Sequence, residues 1–76
     1  MDRKLFYIST YTFIVMKVKE LIEIIEIDGW FLDRTKGSHR QFKHPTKKGT
    51  VTIAGKLSTE MPKGTIISVL KQAKLK

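Results

Sequence analysis

The chain has 76 residues, a length that supports one small domain with a single hydrophobic core. Lysine and arginine number 15 against 7 for aspartate and glutamate, which gives a formal net charge of +8 at neutral pH. The lack of cysteine excludes disulfides, thiolate zinc sites and cysteine nucleophiles, and two histidines are too few for a histidine-rich metal cage. This charge excess favours a polyanionic partner: nucleic acid, an anionic membrane or an acidic protein.

The first 15 residues differ in character from the rest of the chain. Residues 5–16 read LFYISTYTFIVM, a run of apolar, aromatic and β-branched side chains that favours a strand. The run is shorter than the roughly 20 residues of a membrane-spanning helix, and no small-residue cleavage site follows it. We therefore expect residues 1–15 to be an extension outside the core and residues 16–76 to form the domain. An added edge strand is the alternative.

The first predicted element is an amphipathic helix over residues 17–28. Its apolar side chains recur at the helical spacing i, i+3, i+4 and i+7, at Val18, Leu21, Ile22 and Ile25. Gly29 follows the helix and can adopt the left-handed conformation that ends it.

Three strand-like runs follow, over residues 30–35, 38–44 and 50–54. Gly37 supplies a tight turn between the first two runs. Alternation along the second run directs Phe42 inward and leaves three polar side chains on the opposite face, namely His39, Gln41 and Lys43. The pattern predicts a three-stranded antiparallel sheet with one apolar face and one polar face.

A second amphipathic helix is predicted to begin at Pro62, with Thr65 as a possible cap. The elements together predict an α+β fold in two layers, α-β-β-β-α, with both helices on one face of the three-stranded antiparallel sheet. The other face of the sheet is left open. One core is expected to contain Leu21, Ile25, Phe42, Val51, Ile53, Ile66 and Leu70.

His39 is the strongest candidate for chemistry. It follows a glycine turn on the predicted open face, within a segment from residue 34 to 56 that has seven basic residues and no acidic residue. An imidazole transfers protons near neutral pH and cations hold phosphate, which are the requirements of metal-free RNA cleavage. The same position also suits a histidine that only contacts phosphate. The residues alone therefore indicate a small basic nucleic-acid-binding domain and do not establish an enzyme.

His44 is expected to be structural or exposed at the strand edge, and Trp30 is expected to be structural. His44 lies five residues after His39, and this odd separation directs it to the other face of a regular strand. Trp30 and Phe31 could stack on bases, but Trp30 stands where a strand begins beneath a helix, a position that favours the core.

Residues 16–76 resemble the HicA-type toxins, mRNA interferases of bacterial and archaeal toxin–antitoxin modules. The resemblance rests on Lys19-Glu20-Leu21, Gly29-Trp30, the hairpin Arg34-Thr35-Lys36-Gly37-Ser38-His39-Arg40-Gln41-Phe42, and then Thr50-Val51-Thr52-Ile53, Gly55-Lys56-Leu57-Ser58, Pro62-Lys63-Gly64-Thr65-Ile66 and Leu70-Lys71-Gln72-Ala73. The sequence departs from the family at Leu57, where proline is common, and at Lys74, where the last helix often ends in glycine.

The resemblance implies a fold like that of double-stranded-RNA-binding domains and metal-independent endoribonuclease activity on mRNA, which inhibits translation and growth. It implies that His39 is the catalytic acid/base, that Gly37 shapes the turn, and that no metal or cofactor takes part. The residues expected to bind RNA are Lys36, Ser38, Arg40, Gln41, Lys43, Lys47 and Lys48.

The implied partners are an mRNA substrate and a HicB-type antitoxin that masks His39. We expect the toxin alone to be a monomer in the cytoplasm, with no membrane partner. A non-catalytic RNA-binding module is the alternative function.

Overall fold

A computed structural model describes residues 16–76, so the expectations for residues 1–15 lie outside the described part of the chain. The elements in chain order are α1 (Val18–Ile27), β1 (Phe31–Lys36), β2 (His39–Lys43), β3 (Val51–Ala54) and α2 (Lys63–Gln72). The three strands pair antiparallel in the order β1-β2-β3. The predicted α+β fold with the order α-β-β-β-α is confirmed. Over residues 16–76, no helix has the length and apolar character needed to cross a bilayer.

The loop after β3 holds the start of α1. The N–H of Val18 donates to the carbonyl of Thr59 at 2.9 Å. The N–H of Lys19 donates to the carbonyl of Leu57 at 3.0 Å. Because the first N–H groups of a helix have no acceptor within the helix, these loop carbonyls satisfy them and fix the loop against α1.

Both helices pack on one face of the sheet around a single core. All seven side chains predicted for the core are at most 2% exposed, so that prediction is confirmed. In α1, however, Ile24 is buried where the spacing predicted Ile22, which only packs against the edge of the core. Relative to the predicted orientation, the helix is rotated about its axis so that Ile24 and Ile25 share the buried face. The remaining core residues are Met16, Val18, Trp30, Met61, Val69 and Ala73.

A β-bulge interrupts β1 at Asp33. Leu32 lies opposite Phe42 in β2. The next pair is Arg34 with Gln41, so Asp33 has no partner of its own. Without the extra residue, the register set at the hairpin turn would place Asp33 opposite Phe42, on the core face of the sheet. The bulge instead places Leu32 there and keeps the carboxylate out of the core.

The ends of α2 differ from the expectation at one point. Pro62, with φ of −62°, is the N-cap, and Thr65 lies inside the helix. The prediction of Thr65 as the cap is therefore wrong. Pro62 has the extended backbone geometry that is typical of an N-cap, with ψ of 145°, and the helix begins at the next residue, Lys63. At the other end, Lys74 has φ of +59°. Lys74 therefore adopts the left-handed conformation that glycine most often takes just after a helix.

We predict that Phe42→Ala lowers the free energy of unfolding by about 3–5 kcal/mol, because it empties the centre of the core. That loss is comparable with the whole stability of a small domain. Urea denaturation measures the change. Leu32→Ala is the matched control: Leu32 lies directly opposite Phe42 but is 50% exposed, and its truncation should cost less than about 1 kcal/mol. Equal losses of unfolding free energy in the two variants would show that Phe42 is not a central residue of the core.

Candidate functional site

The open face of the sheet brings His39 together with two cations from the neighbouring strand. Pairing between β1 and β2 places Lys36 opposite His39 and Arg34 opposite Gln41. Pairing between β2 and β3 places Thr52 on the other side of Gln41. Side chains directly opposite each other in an antiparallel sheet have Cβ atoms about 4.5–5.5 Å apart. These five side chains line one open cavity of about 500 Å³; we call this surface the His39 face.

His39 is available to a ligand. Its side chain is exposed and forms no hydrogen bond or ion pair within residues 16–76. The cations of Arg34 and Lys36 provide a local positive potential that attracts a phosphate, and a guanidinium can hold one through two parallel hydrogen bonds. Gln41 and Thr52 add neutral groups that donate and accept hydrogen bonds. The His39 face therefore combines a proton-transfer group with phosphate-binding groups.

Arg34 and Thr52 line the cavity, although sequence reasoning did not assign them to the site. The signal was present: Arg34 is two residues before Lys36, and such spacing places both side chains on one face of a strand. The bulge next to Arg34 adds Asp33, whose Oδ2 lies 3.8 Å from Nε of Arg34. The Arg34 side chain is 72% exposed and that of Asp33 is 37% exposed, so this ion pair contributes little to stability and leaves the guanidinium able to bind a ligand.

Two residues expected to bind RNA have structural partners away from the His39 face. The guanidinium of Arg40 donates to the carbonyl of Gly55 at 2.9 Å and fixes the loop after β3. The ammonium of Lys47 lies 2.6 Å from Oδ2 of Asp28 and 3.2 Å from the carbonyl oxygen of Ala73. The structure therefore does not bring Arg40 or Lys47 to His39. Both cations instead form hydrogen bonds within the fold.

The other expected RNA-binding residues are placed as follows. Lys36 and Gln41 lie in the cavity with His39. Lys43 continues the same face of β2, beyond Gln41, and is exposed. Ser38 lies in the hairpin turn, where Gly37 has φ of +61°. Lys48 is exposed in the loop before β3.

His44 has the structural role predicted for it. Its Nδ1 accepts the backbone N–H groups of Thr46 at 3.1 Å and Lys47 at 3.0 Å. Its Nε2 lies 2.7 Å from the carbonyl oxygen of Asp28. Because Nδ1 accepts two N–H groups, the neutral ring carries its proton on Nε2, which donates to that carbonyl. His44 thus joins the end of α1 to the turn that follows β2.

Gly29 and Trp30 fit around the His44 ring. Trp30 is 1% exposed, and its ring meets the imidazole edge-on at a centroid distance of 5.1 Å. Gly29 has φ of +108°, and a Cβ atom there would lie 2.8 Å from Nε2 of His44. The Gly29-Trp30 pair shared with the HicA-type toxins is therefore part of the scaffold.

We predict that Gly29→Ala destabilises the protein by about 2–4 kcal/mol. Alanine is strained at this positive φ, and its methyl group would collide with the imidazole. Gly64→Ala is the matched control: Gly64 lies in α2, and its added Cβ would meet nothing within 4 Å. It should raise stability by about 0.4–1 kcal/mol, because alanine restricts the unfolded chain. Thermal unfolding of both variants checks the difference, and similar melting temperatures would contradict this packing.

Fold and site define a small basic α+β domain with a histidine exposed among cations on an open sheet face. Residues 18–75 match the family described as HicA toxin of bacterial toxin-antitoxin systems. The chain belongs to the HicA toxin family, and membership implies a toxin role within a module that includes an antitoxin. A comparison with curated proteins found no match. Residues 16–76 contain no group of three or more histidine, cysteine, aspartate or glutamate side chains placed to hold a metal ion.

Proposed function

We propose that this toxin is an endoribonuclease that cleaves mRNA and so inhibits translation and growth, with His39 as its catalytic acid/base. The observation that carries the proposal is the grouping of an exposed, unbonded imidazole with Lys36 and Arg34 in one open cavity. Membership of a toxin family supports a harmful activity for this surface. The net charge of +8 supports a polyanionic substrate.

The proposed reaction uses the ribose 2′-hydroxyl of the substrate as the nucleophile. Neutral His39 accepts the proton of this hydroxyl while its oxygen forms a bond to the adjacent phosphorus. The bond from phosphorus to the 5′-oxygen of the next nucleotide breaks, and the imidazolium returns the proton to that oxygen. The products are a 2′,3′-cyclic phosphate and a 5′-hydroxyl. Because DNA lacks the 2′-hydroxyl, this chemistry selects RNA.

The cations next to His39 have a separate role in this reaction. Negative charge accumulates on the non-bridging phosphate oxygens as the nucleophile attacks. Arg34 and Lys36 are already on the face that the phosphate would occupy, so they stabilise this charge without rearrangement. Gln41 and Thr52 orient the ribose and phosphate through neutral hydrogen bonds. Proton transfer and charge stabilisation are thus assigned to different side chains.

A HicB-type antitoxin is the proposed protein partner, and it would act by covering His39. The exposure of the His39 face supports this, because a partner lying on the sheet would block the imidazole and the two cations together. The proposed site of action is the cytoplasm, where mRNA is translated.

We predict that His39→Ala lowers the rate of RNA cleavage by at least about 10²–10⁴-fold, the usual contribution of a general acid or base. The melting temperature should change little because the side chain is exposed. Cleavage is measured on labelled RNA with a metal chelator present, and the fragment ends are analysed for cyclic phosphate. His39→Gln, which keeps a polar side chain but cannot shuttle a proton, should be equally inactive.

Three results would count against this mechanism. Cleavage by His39→Ala at the parental rate would show that the imidazole only contacts phosphate and takes no part in proton transfer. Loss of cleavage in chelator would place a metal ion in the reaction. RNA that is bound but left intact by the parental protein would favour the non-catalytic RNA-binding module instead.

Arg34→Ala and Arg40→Ala form a matched pair that tests the assignment of charge. Arg34→Ala should slow cleavage by about 10²-fold, as expected for loss of one group that stabilises the developing charge. It should also reduce the slope of log affinity against log salt by about 0.7, the value for one phosphate contact on a single strand. Arg40→Ala should instead lower thermal stability and leave the salt slope unchanged, because its guanidinium holds Gly55. The reverse pattern would contradict the site as assigned.

A further inference from the structure

The open face of the sheet extends beyond the catalytic cavity to an exposed aromatic ring. Phe31, the first residue of β1, lies directly opposite Lys43 in β2. Lys43 is in phase with Gln41 and His39, so Phe31 shares their face of the sheet. Phe31 is 50% exposed to solvent. Its neighbour Trp30, in contrast, is buried in the core.

The surroundings of this ring match the chemistry of single-stranded RNA. A single exposed apolar side chain is common on protein surfaces and by itself indicates nothing. Phe31, however, lies opposite Lys43 on the face that also carries Arg34 and Lys36. Proteins that bind single strands combine these two elements: bases stack on aromatic rings while cations follow the phosphates.

The distance along the sheet indicates which base would reach the ring. Lys43 lies four residues after His39 on β2, which corresponds to about 13 Å at roughly 3.3 Å per residue. The ring is therefore displaced along the strand from the phosphate that His39 would attack. The base that stacks on Phe31 therefore belongs to a nucleotide further along the RNA, not to one next to the cleaved bond.

We propose that Phe31 and Lys43 form a subsite that binds one unpaired base of a single-stranded RNA, with Phe31 stacking on the base and Lys43 holding the adjoining phosphate. This subsite rests on the proposed RNA cleavage at His39 and specifies its substrate. Duplex RNA does not satisfy the subsite, because its bases are already stacked on one another. Phe31 is thus a substrate-positioning residue.

The chain offers a matched control for the test. Leu32 is the next residue and is also 50% exposed, but it lies opposite Phe42 on the core face of the sheet. Each substitution is made in the full chain carrying His39→Ala, so that RNA is bound without being cut. Affinity for a short fluorescent single-stranded oligoribonucleotide is then measured. Phe31→Ala should weaken binding about 5- to 100-fold, the range for one stacked base, and Leu32→Ala less than two-fold.

Two further measurements separate stacking from a general apolar contact. Phe31→Tyr should retain the parental affinity, whereas Phe31→Leu should lose affinity as Phe31→Ala does. Replacing each base of the oligonucleotide in turn by an abasic ribose should reveal one position that weakens binding to protein with Phe31. The same abasic position should have no added effect on Phe31→Ala, because the two changes remove the same contact.

Several outcomes would overturn the subsite. Equal affinities for Phe31→Ala and Leu32→Ala, full affinity in Phe31→Leu, or an equal loss on duplex RNA would each exclude a stacked base. Loss of antitoxin binding by Phe31→Ala with RNA binding unchanged would identify a protein contact. Failure of the proposed RNA cleavage would give a different result. The parental chain would leave RNA uncut, while Phe31→Ala and Leu32→Ala would still differ in RNA affinity.

Discussion

The imidazole of His44 and the ammonium of Lys47 together connect both helices to the turn that follows β2. Its Nε2–H donates to the carbonyl of Asp28 at the end of α1, while Nδ1 accepts two N–H groups of the turn after β2. The carboxylate of Asp28 binds Lys47, which also donates to the carbonyl of Ala73 at the end of α2. His44 therefore ties α1 to the turn after β2, and Lys47 in that turn ties α1 to the end of α2. The fold is held on the side of the sheet opposite His39.

The two histidines lie on opposite faces of one strand and its continuation. His39 and His44 are five residues apart, and the odd spacing directs one ring to solvent and the other toward the helices. The cations divide in the same way. Arg40 and Lys47 bond to backbone carbonyls, and Lys47 also to a carboxylate, whereas Arg34 lies beside the exposed imidazole. The net charge therefore overstates the positive charge that is free of partners within the fold.

Periodicity predicted the parts of the structure that depend on local burial. The element order, the core around Phe42 and the outward direction of His39 all follow from which residues repeat at helical or strand spacing. The partners of Lys47 were not predictable, because they come from the ends of two helices distant in sequence. The bulge at Asp33 also escaped prediction, since it depends on the pairing of β1 with β2. Arg34 was not predicted for the site, although it is in phase with Lys36 on β1.

The position of Trp30 allows its fluorescence to report folding separately from the binding of any ligand on the His39 face. It is the single tryptophan of the chain, buried against His44 within the scaffold. Emission from an indole shifts to longer wavelength when water reaches it, so unfolding of this domain changes its fluorescence. A ligand on the His39 face contacts the opposite side of the sheet and leaves the indole in the same surroundings. One intrinsic chromophore thus reports the integrity of the protein in the same sample in which a labelled RNA reports its occupancy.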